Sequence, residues 1–90
     1  MDRIDVALIG AGRMGTTHGA NAARHPGLRL KYVVDPRPDA SAIAAGWGAT
    51  VATLDQALAD PAIGGVLICS STDQHLAHAL AAVAAGKSVF

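Results

Sequence analysis

One segment constrains this chain more than any other: an apolar run that empties directly into a glycine turn. Ile4-Asp5-Val6-Ala7-Leu8-Ile9 is followed at once by Gly10-Ala11-Gly12-Arg13-Met14-Gly15. The run has the length of a buried strand, and the residues after it take up helical spacing. A strand that turns so quickly into a helix commits the chain to a βαβ unit, whose next strand returns parallel to the first. The glycines divide the work. Gly10 permits the tight turn, Gly12 leaves bare main chain for close approach by a diphosphate, and Gly15 lets the helix lie against the sheet. N–H groups at such a helix start attract negative charge. Gly15, Gly19, Ala22 and Ala23 continue a small-residue face along the helix. Asp35, twenty positions after Gly15, completes a dinucleotide-binding pattern.

The remaining chain alternates in the same way. Helical spacing covers Arg13–His25 and stops at Pro26-Gly27, and a second strand is expected over Leu28–Val34. Pro36 and Pro38 make a stiff loop. A short helix is expected from Asp39 to Ala45, a brief strand over Ala49–Val51, and then a helix opening at Thr53, with Gln56 completing a capping box. The fourth strand is read over Val66–Ser70, as the apolar run suggests. A long helix follows over Asp73–Ala85, with Leu76, Leu80 and Val83 on one face and Gly86 as its stop. Ser88-Val89-Phe90 opens a fifth strand. The order βαβαβαβαβ predicts an α/β doubly wound (Rossmann) parallel sheet, truncated at the fifth strand. Residues 1–90 are expected to form one incomplete NAD(P)-binding domain, the front part of a longer protein.

Composition narrows the partners. Net charge is zero, so nothing directs the chain to nucleic acid or an anionic membrane surface. Hydrophobic residues make up 51% and charged residues 16%, more apolar surface than ninety residues can cover for themselves. Aromatics are only 3%, so the core is expected to rely on small side chains. Cys69 is the single cysteine; no internal disulfide can form, and a reducing compartment fits. Met1-Asp2-Arg3 lacks the features of a secretory signal, and Leu76–Ala85 is too short to span a bilayer. A cytoplasmic location is expected.

Several side chains are candidates for chemistry. Asp35 ends the second strand, where a carboxylate accepts hydrogen bonds from ribose hydroxyls and repels a 2′-phosphate; NAD is favoured over NADP. Arg37 reads as a solvated loop charge, although an arginine there could pair with a 2′-phosphate. Ser70, Ser71 and Thr72 follow the fourth strand, at the crevice where strand order reverses. Their hydroxyls are expected to reach the cofactor riboses, and Ser71 or Thr72 to cap the next helix. His75, in the first turn of that helix, is a candidate cofactor or substrate contact. His75 and His78 have a metal-ligand spacing, but no cysteine or carboxylate cluster supports them and no metal is expected. His18 is read as packing or hydrogen bonding to a loop, His25 as a helix-end residue, Cys69 as a buried spectator, and Lys87 as a solvated turn charge.

The stretches Gly10 to His18 with Asn21, Val33-Val34-Asp35-Pro36, Val66 to His75, and Ala85 to Phe90 together resemble a known family. It is the N-terminal Rossmann portion of the glucose–fructose oxidoreductase/inositol dehydrogenase (Gfo/Idh/MocA) family, and the likeness spans the whole chain. Ser70-Ser71-Thr72-Asp73 before His75 is most similar to the myo-inositol 2-dehydrogenase branch, where many other members carry a proline-asparagine pair. The resemblance implies a two-domain NAD(P)-dependent oxidoreductase acting on a CH–OH group of a sugar or cyclitol. The cofactor would be held by Gly10, Ala11, Gly12, Arg13, Met14, Gly15, Asp35, Ser70, Ser71, Thr72 and His75. The substrate would be a small polyol or sugar, and the full-length protein a homo-oligomer. The family's catalytic lysine lies in a glutamate-lysine-proline motif after the fifth strand, beyond Phe90, so no catalytic residue is expected here and the ninety residues alone should not turn over. A non-catalytic NAD(P)-binding or regulatory module is the alternative. A methyltransferase-like nucleoside binder shares the glycine turn but does not match residues 66–90.

Overall fold

The computed structural model describes residues 3–90 and puts the glycine turn at the middle of a five-stranded parallel sheet. The elements run β1 (Ile4–Ile9), α1 (Arg13–Arg24), β2 (Leu28–Val34), α2 (Ala40–Ala45), β3 (Thr50–Val51), α3 (Leu54–Ala59), β4 (Ile63–Ile68), α4 (Thr72–Ala84) and β5 (Ser88–Val89). Strand order is β3-β2-β1-β4-β5, with every pairing parallel. From β1 the chain first builds outward through β2 and β3, then crosses back to place β4 on the other side. The order therefore reverses between β1 and β4, and the expected doubly wound class is found. Among the described residues no helix is long and apolar enough to cross a membrane.

β1 is buried from Val6 to Ile9 and serves both faces. Ala7 and Ile9 pack with Ile63, Val66, Ala57 of α3 and Ala82 of α4. Val6 and Leu8 pack with Leu30, Val33 and Ala44 of α2, with Ala23 of α1 and Trp47 alongside. Each fully buried Leu, Ile or Val contributes roughly 1.5–3 kcal/mol. The small face of α1 is buried as expected, through Gly15, Gly19 and Ala22. A Cβ at Gly19 would lie 2.5 Å from the Trp47 ring, so the indole packs directly on helix backbone.

The local signals in the second half are realised closely. Thr53 and Gln56 form the capping box, with Thr53 N–H donating to Gln56 Oε1 at 2.8 Å and Gln56 N–H to Thr53 Oγ1 at 3.1 Å. Gly86, at φ +78°, ends α4 in a Schellman motif: its N–H donates to Val83 O, and that of Lys87 to Ala82 O, both at 3.0 Å.

Two expectations need correction. β4 begins at Ile63 and ends at Ile68, so it starts three residues before the expected Val66 and leaves Ser70 outside. In the sheet, Gly65 makes room for the Phe90 ring, which a Cβ would approach to 2.5 Å. Lys87 is not a solvated turn charge, because its ammonium donates to the Asp60 carbonyl at 2.8 Å and ties the α4–β5 turn to the α3–β4 turn.

The leucine face of α4 also points away from the sheet. Leu76, Leu80 and Val83 are 68%, 61% and 63% exposed, while Ala79 and Ala82 make the contact with the core. Small side chains allow close docking of the helix, and the leucines project past the sheet. The excess apolar surface expected from composition is carried here and on Val89 and Phe90.

Asp60 is a structural anchor. The register between β1 and β2 shifts after Val6↔Leu30 to Ala7↔Tyr32, leaving Lys31 as a bulge residue. The bulge sends both Lys31 and Tyr32 to one carboxylate oxygen of Asp60, each at 2.6 Å; the other oxygen accepts the Ala62 N–H at 2.8 Å. The Lys31 bond, then the Tyr32 bond, hold the Asp60 carboxyl well below the usual carboxylate range. Such a group stabilises the fold while ionised and stops doing so once pH falls through the ordinary carboxylate value, about 4, toward its own. The melting temperature should therefore drop as pH is lowered from about 5 to 3, and the drop should be shallower in Asp60→Asn. Parallel curves would show that the anchor is not what titrates.

Candidate functional site

The site is built where β1 and β4 end. Gly10 (φ +91°) turns the chain out of β1 in a conformation that disfavours any side chain. Its N–H donates to Val34 O at 2.9 Å, and Cys69 N–H donates to Ile9 O at 2.7 Å. The ends of β2, β1 and β4 are thereby drawn together. A Cβ at Gly10 would lie 2.7 Å from the main chain of Cys69 and Ser70, and one at Gly15 would collide with Gly10 O. Both glycines are needed for the close approach of helix, turn and strand.

Gly12 differs from both. Among the described residues, nothing beyond its chain neighbours and local helix backbone lies within 4 Å of where its Cβ would be, so this glycine faces open space. It is the N-cap of α1, with no side-chain cap bond and no acidic residue in the first turn. The first N–H groups of a helix lack intrahelical partners, and here no side chain of the helix start competes for them. The helix dipole adds a partial positive charge at the same place. A cradle that a side chain would fill, edged by main-chain donors, fits a diphosphate.

Asp35 faces this turn. One carboxylate oxygen accepts the Ala11 N–H at 2.7 Å and the other accepts the Arg37 N–H at 2.9 Å. A carboxylate has about four lone-pair positions, so two remain for a ligand's hydroxyls. Arg37 departs from its reading as a solvated loop charge. Its guanidinium donates to Ala11 O at 2.7 Å and lies 3.8 Å from Asp35 and 3.6 Å from Asp39. Ala11 is thus clamped on both sides of its peptide, and Thr16 Oγ1 donates to Gly12 O at 2.8 Å to brace the turn from the helix.

A cavity of about 390 Å³ opens beside these groups, lined by Gly10, Gly12, Asp35, Ser70 and Ser71 together with Ile9, Val34, Pro36, Cys69, Gln74 and His78. A second cavity of about 420 Å³ continues past Asp35 between Val34, Pro36, Val51, Ala52, Thr53 and Gln56. Its mostly apolar walls suit a flat base. Of the residues expected at the site, Gly10, Gly12, Asp35, Ser70 and Ser71 border the first cavity, while Ala11 and Gly15 are buried and do not line it. Arg13 and Met14 are exposed in the first turn of α1, and Thr72 and His75 in the first turn of α4; none of the four lines the cavity. Ser71 is the N-cap of α4 but makes no capping bond to the helix main chain. Its hydroxyl and the Asp73 main-chain N–H hold the Asp73 carboxyl below its usual range.

Gln74 and His78 were not expected here. Ser70 Oγ and His78 Nδ1 are 2.7 Å apart, which turns an isolated loop hydroxyl into part of a pair. No sequence signal marked it: His78 is four residues before Ala82, on a face of α4 that only the assembled structure turns toward the core. Cys69, read as a spectator, is partly exposed at the cavity wall, and burial pushes its thiol pKa up. His25 ends α1, where its ring accepts the Gly27 N–H at 3.0 Å.

The family model described as an oxidoreductase family with an NAD-binding Rossmann fold matches residues 4–90. The chain belongs to the Gfo/Idh/MocA family. Inositol 2-dehydrogenase of Rhizobium meliloti (strain 1021) is 38% identical over 84 residues, covering 92% of this chain and 26% of that relative. GenD2 from gentamicin A biosynthesis, solved in complex with NAD, superposes with a TM-score of 0.94 at 34% identity, over 99% of this chain and 26% of its own. A myo-inositol dehydrogenase from Corynebacterium glutamicum ATCC 13032 gives 0.88 at 35% identity, over 97% and 27%. This Gfo/Idh/MocA chain spans about a quarter of the length of the relatives it matches.

Proposed function

We propose that residues 1–90 are the NAD-binding domain of a dehydrogenase that oxidises a CH–OH group of a sugar or cyclitol, of the myo-inositol 2-dehydrogenase kind. The observation that carries this reading is the open cradle at Gly12 with the Asp35 carboxylate beside it. Bound NAD supplies the hydride acceptor. The Gly12–Gly15 amides hold the diphosphate at the start of α1, with Arg13 and Met14 contributing main chain. Asp35 accepts from the adenosine ribose hydroxyls, the cavity past it takes the base, and Ser70 and Ser71 flank the other half, with Thr72 and His75 at its edge. The inositol dehydrogenases among the relatives support the substrate class. A polyol or sugar substrate, a homo-oligomeric full-length protein and a cytoplasmic location belong to the same proposal. None of the ninety residues is assigned as the acid or base.

Asp35 also sets the cofactor. A 2′-phosphate would meet this carboxylate, and Arg37 is already engaged with Ala11, Asp35 and Asp39. Like-charge contact costs several kcal/mol, so NADH should bind on the order of 100-fold more tightly than NADPH. Fluorescence or calorimetric titration of the folded chain with both nucleotides checks this. No NADH binding would overturn the domain's assignment, and equal affinities would overturn the role given to Asp35.

A further inference from the structure

Ser70 flanks the cofactor in the reading above, but its hydrogen-bond partner His78 has no role assigned so far. His78 is half-buried on the sheet-facing side of α4 and lines the same cavity as Gly10, Gly12 and Asp35. Its Nδ1 sits 2.7 Å from Ser70 Oγ, a full hydrogen bond at the mouth of β4. A neutral imidazole has one donor and one acceptor nitrogen, whereas the protonated ring has two donors. With Nδ1 as acceptor, the Ser70 proton is spent on the ring and the hydroxyl offers only lone pairs to the cavity. With a proton on Nδ1, which the cation always carries and one neutral tautomer shares, Nδ1–H donates to Ser70 Oγ, and the serine proton is freed to face a ligand. Protonation of the ring also adds a positive charge beside a site proposed for two phosphates.

We infer that His78 is a positioning residue for the dinucleotide. Acting through Ser70, it sets the polarity of the hydroxyl offered to the ligand, and it makes nicotinamide dinucleotide binding tighten as the ring gains a proton. The inference rests on the NAD-binding reading above. Histidine is the side chain that exchanges its proton within the physiological range. The other ionisable groups bordering the cavity are Asp35, with Arg37 beside it, from the end of β2, and Cys69 from the end of β4. β1 and its glycine turn line the cavity only with Ile9, Gly10 and Gly12. α4 itself carries Asp73 and His75 in its exposed first turn. Burial pushes the Cys69 thiol up, away from this window.

The test is NADH affinity of the ninety-residue chain from pH 8.5 down to 6.0, for wild type, His78→Gln and Ser70→Ala, each checked for native circular dichroism. Gln keeps a hydrogen bond to Ser70 without the charge. Wild-type affinity is expected to rise about fivefold toward acid, as one added charge near phosphate predicts. His78→Gln should be flat, and Ser70→Ala should show weaker binding and a shallower rise. If His78→Gln keeps the wild-type slope, or Ser70→Ala matches wild type throughout, the inference is overturned while the dinucleotide site stands. If wild type binds no NADH at any pH, the dinucleotide reading fails and takes this inference with it.

Discussion

Gly12→Val is expected to abolish measurable NADH binding, a loss on the order of 100-fold or more, while the protein stays folded. The separation of the two effects follows from the surroundings. Gly12 has φ −73° and ψ −159°, extended backbone that any residue adopts, and among the described residues nothing beyond its own chain neighbours and local helix backbone lies within 4 Å of an added Cβ. Valine therefore fits the protein but occupies the cradle, lifting a phosphate off the amides of α1. Gly15→Val is the contrasting case. Its Cβ would collide with Gly10 O and press on Cys69 Cβ at 3.3 Å, so α1 would have to move off the sheet and the chain should fail to fold. Circular dichroism paired with NADH titration distinguishes the two variants. A folded Gly12→Val that binds NADH normally would remove the diphosphate from this turn.

Asp35→Ala should weaken NADH binding by about 10- to 100-fold and also destabilise the domain, because this carboxylate serves both ligand and loop. Ala11 is fully buried, and its N–H has the Asp35 carboxylate as acceptor. Leaving a buried donor unsatisfied costs about 1–3 kcal/mol. The Arg37 N–H loses its acceptor in the same substitution. Asp35→Asn should restore less than its similar size suggests, since a neutral amide accepts more weakly and brings donors toward donors. Urea unfolding measures the structural part and calorimetry the ligand part. Undiminished affinity would mean that the carboxylate is only a loop brace.

These two residues also show how much of the site was readable in advance. Gly12 and Asp35 belong to a pattern whose parts are close in sequence or fixed at the ends of adjacent strands. Thr53 with Gln56 and the Gly86 stop were equally plain, because helix ends are decided by a few neighbouring groups. Arg37 and Lys87 were not. Each is a long, flexible cation whose acceptor, the carbonyl of Ala11 or of Asp60, is 26 or 27 residues away. Asp60 gains its role only because the β2 bulge aims Lys31 and Tyr32 at it.

Helix α4 marks the boundary most clearly. Its existence and length could be read from the chain, and so could the grouping of Leu76, Leu80 and Val83 on one face. Which face meets the sheet could not: the alanines dock, the leucines stay out, and His78 rather than His75 reaches the cavity. Strand and helix identity, the glycine turn and the acid at position 35 follow from short-range sterics and hydrogen bonding, which the linear chain encodes directly. Helix rotation, long side-chain partners and the Ser70–His78 pair depend on how packed layers share space, and only the assembled structure settles that competition.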